Sequence, residues 1–341
     1  MYLSIHERKR DHIRHTINGH TQYDHGTGLD AYRLIHNALP ELSLDDVSTE
    51  TVFDDRTFSI PVFISSMTGG TVETGQVNRI IAEVCQDLNI PMGVGSQRIM
   101  LEDPTVTESF SVVREAAPDA YIAANIGGVQ IRNGLAIEKL RNLLDSIEAN
   151  ALIVHLNPLQ ELMQPEGDRN FSGVLKGIEF LVNNASVPII VKETGAGING
   201  ATAKRLYNVG VRYIDIAGSG GTSWSKVESV RQDPDKALHI FDNWGLPTAK
   251  CLNEINALQL NELRIIASGG IRTSVDILKA MALGAHMTAF AQPIIRVINE
   301  SGQIGLNDYL IRLKKELNIG LLLMGIRSFA ELNSNYIYIS D

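Results

Sequence analysis

Val187-Pro-Ile-Ile-Val-Lys-Glu-Thr-Gly-Ala-Gly-Ile-Asn-Gly200 is the stretch on which the fold turns. A β-branched run ends in Lys192-Glu193, passes through G-x-G-x-x-G, and enters Ala201–Val209, where apolar residues recur at helical spacing. Read alone, this strand, glycine turn and helix spell a dinucleotide-binding unit. Asp215 even sits near the place where such a fold puts its ribose-binding acid. A Rossmann domain should begin near this glycine turn, however, and here four strand-helix units precede it without a break.

Working outward, apolar runs recur at Ile60–Ser65, Ile90–Val94, Tyr121–Ala124, Leu152–Leu156, Val187–Val191, Tyr213–Ala217, Ile265–Ser268 and Met287–Ala291. Between them lie segments of helical period, such as Ile137–Ile147 with Leu140, Leu143, Leu144 and Ile147 on one stripe. Alternation of this kind favours a parallel sheet with crossover helices, and eight units in about 250 residues match a closed (βα)8 barrel, the TIM-barrel architecture. The expected division is a single domain, with an N-terminal extension over 1–57, the barrel over 58–300 and a C-terminal helical tail over 301–341. Two connections are long, Asn157–Ser172 and Gly218–Gly245, and long loops in a compact domain are commonly functional.

Composition narrows the class of function. Of 341 residues, 44% are hydrophobic and 20% charged, enough apolar material for a large core. The net charge of -9 disfavours a general nucleic-acid or anionic-membrane binder, but a local nest of cations and N–H groups still binds a small anion. Cys85 and Cys251 suggest neither a disulfide framework nor a zinc site and read as small buried hydrophobes. The polar N-terminus and the lack of a long apolar run point to the cytoplasm.

Barrel enzymes build their sites at the carboxyl ends of the strands, and polar or glycine-rich residues follow almost every run here. They are Ser66-Met-Thr-Gly-Gly70, Gly95-Ser-Gln-Arg98, Asn125-Ile-Gly-Gly128, His155-Leu-Asn-Pro-Leu-Gln-Glu161, Lys192-Glu193, Gly218-Ser-Gly-Gly-Thr-Ser223, Ser268-Gly-Gly-Ile-Arg272 and Ala291-Gln292. Gly269-Gly270 before a helix, with Gly220, Gly221 and Thr222 nearby, suggests a phosphate cradle rather than a bare tight turn. Lys192, at the end of an apolar run, needs a partner or a function. An ion pair with Glu193 is weakened by strand alternation, and a cation inside the barrel suits an electron-rich ring. Glu161 reads either as a solvated loop carboxylate or as a hard-metal ligand. His155 and Asn157 supply donors of the right kind for a phosphate, although a lone histidine like His155 is more often a satisfied core residue. The basic run Arg8-Lys-Arg-Asp-His12 is a solvated face or an arm that closes over an anion.

Together these motifs, with Arg8-Lys9, Pro165-Glu-Gly-Asp168 and Trp224, closely resemble type 2 isopentenyl-diphosphate delta-isomerase, the FMN-dependent form, over almost the whole chain. The resemblance implies that FMN is held by Ser66, Met67, Thr68, Ser96, Asn125, Lys192, Thr222, Gly269, Gly270, Ile271, Arg272, Ala291 and Gln292. It implies a substrate site of Arg8, Lys9, Ser96, Gln97, Arg98, His155, Asn157 and Gln160, with Mg2+ on Glu161. Gln160 and Lys192 are the implied catalytic pair. The implied reaction interconverts isopentenyl and dimethylallyl diphosphate without net redox change, on reduced FMN primed by NADPH, in a homotetramer or larger homo-oligomer. An FMN-dependent 2-hydroxy-acid oxidase on the same barrel would need a histidine base and an arginine pair for a carboxylate. The fourth loop carries Asn, Gln and Glu instead, which suits a metal diphosphate. A flavin- or phosphate-binding protein without catalysis is the third class.

Overall fold

A computed structural model of the chain describes residues 11–12, 14–17, 20–232, 235 and 237–340. Eight parallel strands close on themselves in sequence order: β1 (Val62–Ile64), β2 (Met92–Gly93), β3 (Ile122–Gly127), β4 (Ala151–Leu156), β5 (Ile189–Glu193), β6 (Tyr213–Asp215), β7 (Arg264–Ala267) and β8 (Met287–Phe290). The crossover helices are α1 (Val72–Leu88), α2 (Glu108–Ala116), α3 (Ile137–Asp145), α4 (Val174–Asn184), α5 (Gly200–Asn208), α6 (Thr248–Asn256), α7 (Ser274–Ala282) and α8 (Gln292–Met324). Local sequence sets their starts: Thr71 caps α1, Asn199 caps α5, and Thr273 with Asp276 forms a capping box on α7. The expected barrel is therefore the observed fold, with the strand ends moved by a few residues.

Strand alternation divides the core in two. Phe63, Tyr121, Ala123, Ala151, Ile153, Ile190, Ile266, Met287 and Ala289 fill the barrel interior, while the intervening residues pack outward under the helices. Two residues further along the inward-facing rows come Asn125, His155, Lys192, Asp215 and Ser268. Register aligns four of the inward positions, because Gly127 pairs with His155, His155 with Lys192, and Lys192 with Asp215. The pleat thus carries polar residues from neighbouring strands to one level of the rim.

The extension and tail hold structure that the sequence pattern did not announce. Thr51–Phe53 and Arg56–Phe58 form a hairpin whose two turn residues, Asp54 and Asp55, are left-handed. It plugs the amino-terminal end of the barrel. Phe53 meets Tyr213 edge-on at 5.1 Å and Phe58 meets Tyr121 at 5.7 Å. The Asp54 carboxylate accepts from both tyrosine hydroxyls, 2.7 Å from Tyr121 and 2.8 Å from Tyr213. The tail is not purely helical: α8 starts at Gln292, breaks at Gly302 (φ 62, ψ -153), and the chain ends in a strand, Ile337–Ile339, paired antiparallel with Tyr32–Leu34. Cys85 and Cys251 are buried and free, as expected. Among the described residues no helix is long and apolar enough to cross a membrane.

The hairpin plug makes a stability prediction. Asp54→Ala leaves two phenol groups without their acceptor and should cost about 2 kcal/mol by denaturant unfolding. Asp54→Asn keeps one carbonyl oxygen and tolerates the left-handed turn, so it should cost less than about 1 kcal/mol. Equal losses in the two variants would contradict the role given to the carboxylate.

Candidate active site

The carboxyl ends of the strands surround a cavity of about 290 Å³. Its wall includes Ser66, Met67, Thr68, Ser96, Arg98, Asn125, His155, Asn157, Gln160, Glu161, Lys192, Thr222, Gly269, Gly270, Arg272, Ala291 and Gln292. Residues expected to act together from eight separate loops are therefore neighbours. Two do not reach the cavity. Ile271 is buried in the outer core, leaving only its backbone to face a ligand. Gln97 is fully buried and turned into the barrel wall, against its expected contact with substrate. Its Nε2 donates to the Leu143 carbonyl and its Oε1 accepts from the Asn125 N–H, so it fastens the β2 loop to β3. Arg8 and Lys9 lie outside the described residues.

At the inner wall, Asn125 sets the state of His155. Its Nδ2 donates to the Val94 carbonyl at 3.1 Å, which turns Oδ1 toward His155 Nδ1 at 2.8 Å. Nδ1 therefore carries the proton and Nε2 the lone pair. Burial, with the Lys192 ammonium nearby, pushes the imidazole down to about 4, so the ring is neutral at neutral pH.

Lys192 does not pair with Glu193. It faces Asp215 at 3.1 Å, and Asp215 also accepts from the Ser268 hydroxyl and from the Ala217 N–H. Glu193, one residue on, points to the other side of the strand. Its Oε2 accepts from the N–H groups of Gly195, Ala196 and Gly197. Burial nevertheless raises it above the usual carboxylate range. This explains the G-x-G-x-x-G stretch: its turn, with Gly197 at φ +91, wraps the chain's own carboxylate rather than a pyrophosphate.

The glycine cradle lies between the loops after β6 and β7. These backbones approach so closely that a Cβ on Gly270 would sit 2.6 Å from the Gly220 oxygen. No described residue accepts the N–H of Gly221, Gly269 or Gly270. The Arg272 guanidinium lies beside them, largely buried, with no described carboxylate within ion-pair distance. On the β1 side, the buried Ser66 hydroxyl has no hydrogen-bond partner among the described residues. Unused donors on both sides of one cavity fit a ligand that carries a phosphate and a polar ring, as FMN does.

The opposite wall is built from the loop after β4. Asn157 Nδ2 donates to Gln160 Oε1 at 3.1 Å and to Glu161 Oε1 at 3.2 Å, while Glu161 Oε2 accepts from the Asp168 N–H at 2.7 Å. The Gln160 amide donates to Glu228 at 3.2 Å. Glu228 is fully buried behind the cavity, where Arg231 and His12 also meet it. Burial alone would raise its carboxyl, but the bonds and charges of His12, Arg231 and Gln160 prevail and hold it below the ordinary range. Sequence reasoning missed Glu228, because Trp224–Val230 looks like any short surface helix. The only signal was its position inside an overlong loop. His12 also packs edge-on against Trp224, centroids 5.0 Å apart. Arg98 stands half-exposed at the rim, bonded to Glu102 at 3.0 Å.

A family model for FMN-dependent dehydrogenases matches residues 129–339. The chain is 42% identical over 342 residues to the isopentenyl-diphosphate delta-isomerase of Chlorobium phaeovibrioides, covering 96% of each chain. It is 42% identical to the enzyme of that name from Nostoc sp. (86% of this chain, 85% of the other) and 39% identical to that from Rickettsia canadensis (96% and 95%). Among solved structures, a flavocytochrome b2 variant superposes with TM-score 0.71 at 17% identity over 97% of this chain and 83% of the other. A mandelate oxidase variant with benzaldehyde gives 0.67 at 18% identity, over 99% and 98%. At such identities these structures share the fold alone.

His155 predicts an acid sensitivity that His286 shares, since burial pushes that ring down to about 4 as well. Between about pH 6.5 and 4 the unfolded chain takes up a proton on each ring that the folded chain refuses. Stability should therefore fall as pH drops through that window, by up to about 1.4 kcal/mol per pH unit for each ring. His155→Gln should flatten the slope measured by urea unfolding at a series of pH values, and an unaltered slope would show that the ring is not held neutral.

Proposed function

The chain belongs to the isopentenyl-diphosphate delta-isomerase family, built on the FMN-dependent dehydrogenase barrel, and we propose that it interconverts isopentenyl and dimethylallyl diphosphate. The observation that carries this reading is that one cavity brings together two unlike groups of polar residues. One is the glycine cradle with Arg272, suited to the phosphate of FMN. The other is the Asn157–Glu161 wall with Arg98 at its rim, suited to a diphosphate.

The reaction adds a proton at the terminal alkene carbon and removes one from C2, through a centre with tertiary carbocation character. Reduced FMN, held by the glycine loops and primed by NADPH that is not consumed at each turnover, would supply an electron-rich ring and acid–base capacity. The chain's own residues prepare the place for it. Lys192 contributes a buried positive charge, steadied by Asp215, that would stabilise an anionic ring. Gln160 is held at both ends, accepting from Asn157 and donating to Glu228, so it is a positioning group rather than an acid. Trp224, His12 and Thr16 line the mouth and limit water, which would quench a cationic centre. The family resemblance assigns Arg8 and Lys9, which lie outside the described residues, to the substrate diphosphate.

Among the described residues no cluster of three or more His, Cys, Asp or Glu could hold a metal by itself. Glu161 supplies one carboxylate, with its two oxygens oriented by Asn157 and Asp168. That fits Mg2+, which commonly takes one or two carboxylates and completes its shell with substrate phosphates and water. The same reading carries with it the family's homo-oligomer and a cytoplasmic setting.

Full-length protein loaded with FMN, reduced with NADPH and supplied with Mg2+ should convert isopentenyl diphosphate to dimethylallyl diphosphate with far less than one NADPH oxidised per product. Glu161→Gln should lower that rate about a hundredfold and raise the Mg2+ concentration needed. Stoichiometric NADPH consumption, or turnover that survives FMN removal, would contradict the reading.

A further inference from the structure

Gln22 lies in the N-terminal extension, 200 positions from Thr222 and 250 from Arg272, yet its side chain touches both. Arg272 Nη2 donates to Gln22 Oε1 at 3.0 Å, and Gln22 Nε2 donates to Thr222 Oγ1 at 3.1 Å. The backbone is pinned on both sides of it, since Tyr23 N–H donates to the Gly221 carbonyl at 2.9 Å and Ser223 N–H to the Thr21 carbonyl at 2.7 Å. Lys226 Nζ adds a bond to the Gln22 carbonyl at 2.9 Å. Gln22 is not itself part of the cavity wall, whereas Thr222 and Arg272 are.

Chemistry fixes the orientation of the amide. A guanidinium only donates, so the amide oxygen must face Arg272 and the NH2 must face Thr222. Two consequences follow for a ligand in the cradle. Because Thr222 Oγ1 accepts from Gln22, its own proton is left for another acceptor, and Thr222 lines the cavity. Because Gln22 is neutral, it orients the Arg272 guanidinium without cancelling its charge. A carboxylate in the same place would undo both, pairing with Arg272 and accepting the Thr222 proton.

We propose that Gln22 is a positioning residue of the glycine cradle, and that it makes the cradle select a phosphorylated flavin over an unphosphorylated one. The proposal rests on the reading of that cradle as the FMN phosphate site, and it makes the N-terminal extension part of cofactor recognition.

The test compares FMN with riboflavin, which differ in the phosphate alone, by flavin-fluorescence titration of the full-length protein freed of flavin. Gln22→Glu should weaken FMN binding about tenfold or more and leave riboflavin within about twofold, collapsing the preference for the phosphate. Gln22→Ala, which removes the contacts without adding charge, should reduce the FMN-to-riboflavin ratio by about threefold. A purely structural role would weaken both flavins alike, and an unchanged ratio in both variants overturns the proposal. Wild-type protein that binds FMN no better than riboflavin would instead overturn the cradle assignment on which the proposal stands.

Discussion

Closure of the barrel by pairing β8 with β1 is the constraint on which the rest of the structure depends. Once eight parallel strands share one direction, all their carboxyl ends meet at one rim, and the two-residue pleat decides which side chains face inward. Register does the remainder. Gly127, His155, Lys192 and Asp215 fall side by side on four neighbouring strands although 88 positions separate the first from the last. The same geometry leaves the amino-terminal end open, and the Asp54 hairpin fills it with aromatic rings and two shared hydroxyl bonds.

Buried charge shows where this framework is committed to itself and where it waits for a ligand. Lys192 is matched by Asp215, Glu193 by three backbone N–H groups, and Glu228 by Arg231 with His12. Each arrangement offsets the cost of removing a charge from water. Arg272 departs from the pattern, because the described hydrogen-bond partners of its guanidinium are the neutral Gln22 amide and the adjacent Ile271 carbonyl, while only its backbone N–H reaches the Asp276 carboxylate. A largely buried guanidinium in that condition, beside glycine N–H groups and a Ser66 hydroxyl that have no partner among the described residues, is where the proposed function seats an anion.

The strand series and most of the site were legible in the sequence because both follow periodic rules. Apolar runs marked the strands, and the residues after them lined the cavity without knowledge of any contact. What was not legible depends on long-range partners. Strand alternation weakened the case for Glu193 as the mate of Lys192, but only the neighbouring strand's register could supply Asp215. Gln97 lies between two cavity residues, and nothing local says that it turns inward to the wall. Glu228 has no motif of its own, since its meaning comes from Gln160 and Arg231. The antiparallel pairing of Tyr32–Leu34 with Ile337–Ile339 joins the N-terminal extension to the C-terminal tail, a contact that no sequence window can hold.

Flavocytochrome b2 and mandelate oxidase share this barrel at under one fifth identity, so the chemistry resides in what the rim loops carry. Here the proposed function assigns the rim two anion sites, and the account stands on their being separate and simultaneously occupied. Calorimetric titration of inorganic diphosphate into the FMN-loaded protein, with flavin absorbance followed in parallel, tests this most directly. The account predicts saturable Mg2+-dependent binding with FMN retained; displacement of FMN by diphosphate would show a single shared site and contradict it.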